Sequence, residues 1–189
     1  MNKIVKNVLL TGEPAVGKTT IILEALKALN INAGGFFTHE IRSGKTRKGF
    51  QLITLDGEQA VLAHSSKKSS YKVGKYGVDL KVMCDLAVPA MKKALEENDL
   101  IVIDEIGKME CFSIEFRDMV TRCLDSKKPV LGSMQNFANP FINQLNNRDD
   151  IVRIQVTETN RDMLPGNLAE LIKRLLPHKD SSRKKRRNR

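Results

Sequence analysis

The run Gly12-Glu13-Pro14-Ala15-Val16-Gly17-Lys18-Thr19 constrains this chain more than any other stretch. It matches the pattern G-x-x-x-x-G-K-[ST], and its flanks agree with that pattern's mechanics. Ile4 to Leu10 is β-like, and Lys18 to Leu29 switches to helical period, with Ile22, Ala25, Leu26 and Leu29 on one face. A strand that turns through glycines into a helix gathers backbone N–H groups and the positive helix end around one small volume, where phosphate oxygens fit. Lys18 should then reach β- and γ-phosphates. Thr19 offers a hydroxyl to Mg2+, and Thr20 beside it is placed for an α-phosphate oxygen. Gly12 through Thr20 are therefore the expected triphosphate contacts.

A second cluster follows the aliphatic run Leu100-Ile101-Val102-Ile103, the mark of a strand covered on both faces. It ends in Asp104-Glu105. Asp104 is expected to hold the magnesium shell through water, and Glu105 to orient and deprotonate a water for in-line attack on the γ-phosphate. An acidic pair at a strand end also occurs as a simple cap. The glycine loop earlier in the chain favours the catalytic reading, because parallel strands deliver both loops to one sheet edge. Gly107 completes the expected nucleotide set. Cations that could stabilise charge on the transferring phosphate are Lys108, Arg42, Arg148 and Arg161; Lys108, three residues past Glu105, is nearest in sequence, and Arg42 would act from a hairpin as a lid.

Between these motifs the chain alternates. Gly35 to Arg42, Gly49 to Leu55 and Gln59 to Ala63 read as short strands joined by S-G-K and D-G turns, and Ser65 to Gly77 as a mobile polar loop. Val82 to Glu97, Ser113 to Asp125 and Asn167 to Leu176 are helix-like; Pro129 to Gly132 and Ile151 to Val156 are strand-like. The alternation implies an α/β fold with a mostly parallel central sheet flanked by helices and a β-hairpin insertion. Phe36 and Phe37 suit core packing, and Tyr76 either a base contact or burial.

With 189 residues, 41% of them hydrophobic, one domain over residues 1–178 is expected, followed by a basic, disordered tail over 179–189. Of the net charge of +10, the tail KDSSRKKRRNR supplies +6. The basic balance thus says little about the folded surface. RNA binding through that tail is the less favoured reading beside simple solvation, since it has no interleaved aromatics. Three cysteines without a C-x-x-C pair and three scattered histidines suggest neither disulfides nor a structural metal. With no apolar span and no signal-like start, a soluble, cytoplasmic monomer away from membranes is expected.

Beyond the glycine loop, the chain carries G-F-F-T-H-E-I-R at Gly35 to Arg42, V-G-K-Y-G-V-D-L at Val73 to Leu80, D-E-I-G-K-M-E at Asp104 to Glu110 and N-R-D-M-L-P at Asn160 to Pro165. On these strings it resembles the cancer-related, or THEP-type, nucleoside-triphosphatase family, from about Asn7 to Pro165. The resemblance implies a RecA-like P-loop fold and slow hydrolysis of ATP, GTP and other nucleoside triphosphates to diphosphate and phosphate. Two positions depart from the family pattern: Ala15, where glycine is common, and Ser133-Met134-Gln135, where Gly-Thr-like residues are common. Two other functions remain open. One is a nucleotide or small-molecule kinase in which Glu105 activates an acceptor; the other is an RNA-binding nucleotide switch.

Overall fold

A computed structural model describes residues 5–176. The boundary expected at residue 178 and the basic tail lie outside the described residues. In chain order the elements are β1 (Asn7–Thr11), α1 (Lys18–Leu29), β2 (Ala33–Ser43), β3 (Thr46–Thr54), β4 (Gln59–His64), β5 (Lys72–Val73), β6 (Tyr76–Val78), α2 (Leu80–Val82), α3 (Val88–Glu97), β7 (Leu100–Ile106), α4 (Ile114–Asp125), β8 (Val130–Met134), α5 (Pro140–Asn146), β9 (Ile151–Gln155) and α6 (Leu164–Leu175).

The strands form one mixed sheet in the order β5-β6-β4-β3-β2-β7-β8-β1-β9. From β2 to β9 neighbours run parallel, and from β2 out to β5 they run antiparallel. The expected hairpin insertion is thus an antiparallel wing on a parallel core. One strand, β8, separates β1 from β7, pairing Leu10 with Ser133 on one side and Ile103 with Gly132 on the other.

Side chains along a strand alternate between faces, and the core divides accordingly. Val8, Leu10, Leu100, Val102 and Leu131 pack against α1 and α6 through Ile22, Ala25, Leu168 and Ile172. Leu9, Ile101, Ile103 and Val130 face the other way, toward α3 and α4, through Met91, Phe116, Val120 and Leu124. Leu100 to Ile103 is therefore continuously apolar because both faces are covered. Phe116 is fully buried and meets Phe36 edge to face, with centroids 6.0 Å apart. Phe116→Ala should cost about 3–5 kcal/mol in denaturant unfolding, and a loss under about 1 kcal/mol would contradict this packing.

Local chemistry sets the ends of several elements. Asn30 caps α1 in the left-handed region at φ 45. The Ser113 hydroxyl accepts the Phe116 N–H at 3.1 Å to start α4. Asn139 and Pro140 open α5, a short helix absent from the sequence reading. The single helix expected over Val82 to Glu97 instead begins at Leu80 and contains a π-turn over Met83–Ala87, where the Val88 N–H bonds back to the Met83 carbonyl. Pro89 explains the widening, since it has no N–H for Asp85 and its ring crowds the preceding turn. The loop expected over Ser65 to Gly77 contains the β5–β6 hairpin. Lys67 pairs with Asp79 at 2.5 Å, and the Ser69 hydroxyl donates to the Val78 carbonyl at 2.7 Å. Among the described residues no helix is long and apolar enough to cross a membrane.

Candidate active site

The glycine loop leaves the carboxyl end of β1, where the Val156 N–H donates to the Thr11 carbonyl at 2.8 Å. Gly12 sits at φ 140, and a Cβ there would come within 2.6 Å of the Val156 carbonyl oxygen, so the turn leaves no room for a side chain. Gly17, at φ 113, hands the chain into α1. Ala15 lies at φ 63, in the left-handed region. That conformation is costly for alanine and free for glycine, which is why the departure at this position still forms the loop but under local strain.

Lys18 is buried, and its ammonium donates to the carbonyls of Gly12 at 2.9 Å and Glu13 at 3.1 Å. Thr19 is half-buried behind it and Thr20 is exposed. Glu13, Pro14 and Ala15 form the exposed outer rim of the loop, with Val16 tucked beneath.

Asp104 and Glu105 stand near the carboxyl end of β7, joined by a cis peptide bond. Asp104 is fully buried, and its Oδ1 accepts the Ser133 hydroxyl of β8. Burial raises its pKa, while Ser133, Thr19 and the Lys18 charge pull the other way. Its Oδ2 is buried without a hydrogen-bond partner among the described residues. A buried carboxylate oxygen left unpaired beside a threonine hydroxyl is a hard-oxygen donor set of the kind Mg2+ takes, so Thr19 and Asp104 fit the ion.

Glu105 accepts a hydrogen bond from the Gln135 side-chain amide. Its pKa is raised by burial and then by the Asp104 charge, against the opposing pull of Gln135 and Lys18. The structure thus joins the two loops that the sequence placed on one edge, with Lys18 acting on both carboxyls.

Three participants were missed. Ser133 and Gln135 appeared in the sequence as a departure from a family pattern; here they leave β8 between the glycine loop and the acidic pair and bind one carboxylate each. Glu110 lay unremarked inside the D-E-I-G-K-M-E string. It is buried, its Oε2 accepts the Gly107 N–H at 3.1 Å, and its pKa is pushed up to about 8 by burial and by the Glu105 charge. Gly107, expected as a nucleotide contact, spends its N–H on Glu110. A Cβ on it would come 2.8 Å from Glu110 Oε2 and 2.9 Å from Gln135 Nε2.

The four cations separate. Arg148 is not at the site: it pairs with Asp150 at 2.7 Å and Asp125 at 2.8 Å. The Asp150 carbonyl in turn accepts the N–H groups of Lys6 and Asn7, at the amino end of β1. Arg148 therefore belongs to the opposite sheet edge, a correction that strand polarity imposes. Arg161 lies in the turn after β9, on the far side of β1 from Glu105, beside Asp162 at 3.7 Å. Arg42 is on the β2–β3 hairpin, beyond the point where Phe37 pairs with Asp104, and is held by Glu40 at 2.5 Å. Lys108 lies three residues past Glu105 in the turn after β7, exposed, with its ammonium 5.7 Å from the Phe137 ring centroid. Phe36 is in the core as expected, and Tyr76 packs edge-on to Phe50 at 5.3 Å inside the antiparallel wing.

Known proteins resemble this chain in sequence and fold. A family model described as NTPase matches residues 7–169. The chain belongs to this NTPase family. Among its relatives, nucleoside-triphosphatase THEP1 of Thermotoga maritima is 43% identical over 166 residues, covering 88% of this chain and 95% of that protein. The crystal structure of THEP1 from Aquifex aeolicus superposes with a TM-score of 0.81 at 34% identity, over 88% of this chain and 98% of that one. The solution structure of a human cancer-related nucleoside triphosphatase gives 0.76, also at 34% identity, over 89% and 98%. The P-loop NTPase family, the α/β fold with its mixed sheet, and the resemblance drawn from the sequence strings are all confirmed by these matches.

Proposed function

We propose that this member of the NTPase family hydrolyses ATP, GTP and other nucleoside triphosphates to diphosphate and phosphate, slowly, with Mg2+ and with loose selectivity for the base. The observation that carries this reading is the Asp104-Glu105 pair, the first buried and the second half-buried, both acted on by Lys18, with Glu105 held by Gln135. A carboxylate whose proton affinity is raised is a better base near neutral pH, and the amide hydrogen bond keeps it aimed. Glu105 takes a proton from water as the water oxygen bonds to the γ-phosphorus. The bond to the β–γ bridging oxygen breaks, and the nucleoside diphosphate leaves with that electron pair. Lys18, lifted from the loop carbonyls, balances charge on the β- and γ-oxygens. Thr19 and Asp104 would hold Mg2+, which when bound neutralises the triphosphate.

The glycine loop offers its lysine and backbone groups to phosphate, and none of its residues is placed to read a base. Phosphate release from ATP, GTP, CTP and UTP is therefore expected to fall within about 100-fold of one another, far short of the 10,000-fold that a hydrogen-bonding base pocket achieves. Chelating Mg2+ should abolish it. A single triphosphate preferred beyond that range, or release untouched by chelation, would defeat the corresponding half of the reading. We take the chain to act as a cytoplasmic monomer on nucleoside triphosphates, which sedimentation and cell fractionation test.

A further inference from the structure

Past Glu105, away from the glycine loop, the carboxyl edge of the sheet opens into a cavity of about 370 Å3. Its walls include Lys108 and Phe112 from the turn after β7, Phe137 and Asn139 from the loop after β8, and Lys72 and Val73 from β5. The first of these segments follows Glu105, near the end of β7, and the second carries Gln135. The third is brought in from the end of the antiparallel wing, and Tyr71 meets Phe112 there with ring centroids 5.5 Å apart.

Two features of this cavity are chemical, not merely geometric. Both of its charged lining residues are lysines, with no carboxylate among them. Beside it two aromatic rings are exposed against each other: Tyr71 is 45% and the lining residue Phe112 37% accessible. Ammonium groups select an anion, and aromatic faces select a flat ring.

We propose that this cavity is a second ligand site, distinct from the glycine loop, for a small anion that carries a planar ring, of the nucleoside monophosphate class. Lys72 meets the anion together with Lys108, which turns from the Phe137 ring to reach it, and the ring of the ligand takes that freed face beside Phe112. The ligand sits beside the turn that positions Glu105, on the opposite side from Lys18. The site stands whether or not Glu105 is the base, because its residues are separate from the acidic pair.

The test uses the full chain with its glycine loop saturated by Mg2+ and a non-hydrolysable triphosphate analogue, titrated calorimetrically with AMP, GMP, CMP and UMP. Saturable one-to-one binding of at least one of them is expected. Lys72→Ala and Phe137→Leu should each weaken it by about tenfold, with triphosphate affinity held within about twofold. Inorganic phosphate and the free nucleoside should each bind more weakly than the monophosphate, since each engages half the site. No binding at millimolar concentration, binding indifferent to both substitutions, or binding abolished by the triphosphate analogue would each overturn the proposal. Phosphate binding as tightly as the monophosphate would remove the ring from it. Lys72 is exposed, so its variant should keep the thermal unfolding midpoint of the parent, and the comparison stays free of folding effects.

Discussion

Glu105→Gln is expected to slow phosphate release by about 100-fold or more while leaving triphosphate affinity within about threefold. Glutamine keeps the shape, and its carbonyl can still accept the Gln135 amide. What it removes is the ability to take a proton. The substitution also removes a negative charge from a cluster in which Glu105 raises the pKa of Glu110 and is itself raised by Asp104, so stability should not suffer. Rate and binding thus separate: a merely capping carboxylate would give a variant as active as the parent, whereas a base gives one that binds and does not turn over. Single-turnover phosphate release together with a fluorescent-nucleotide titration distinguishes the two. A variant with more than about a third of the parental rate and unaltered affinity would show that another group activates the water.

The glycine loop was legible because its mechanics are local. The glycines, the lysine and the helix start all lie within nine residues, and α1 runs over Lys18–Leu29 as the spacing predicts. Asp104-Glu105 was legible because a run buried on both faces announces both a central strand and its end. What escaped depends on partners distant in the chain. That Ser133 and Gln135 bond the acidic pair follows from β8 lying between β1 and β7, a fact of strand order that no local pattern encodes. Arg148 stood among the candidate cations until strand polarity put it at the other edge. Strands of two and three residues, such as β5 and β6, are too short for a period of two to show against a background of serines and lysines. Glu110 carried no signal of its own, since a lone acid after an apolar methionine reads as surface until burial is known.

Glu110 gives the second large effect, in stability rather than rate. In the fold its carboxyl holds its proton up to about pH 8, against an ordinary value of 4.5, because burial and the neighbouring Glu105 and Asp104 charges disfavour ionisation. Between those two values the native state binds more protons than the unfolded state, so stability falls as pH rises through that window, by about 1.4 kcal/mol per pH unit at most. Urea unfolding at pH 6 and pH 9 should therefore show the parent losing about 2–3 kcal/mol more than Glu110→Gln, whose amide stays neutral and whose carbonyl still accepts the Gly107 N–H. Comparing the two proteins cancels the titration of every group that does not interact with Glu110. Glu110→Ala separates packing from charge: it leaves the Gly107 N–H unpaired and a void beside it, so it should be destabilised at both pH values, with the shallow pH slope of the glutamine variant. Parallel losses for parent and glutamine variant would mean that Glu110 is already ionised at pH 6, and that the three carboxylates share a stronger counter-charge than Lys18.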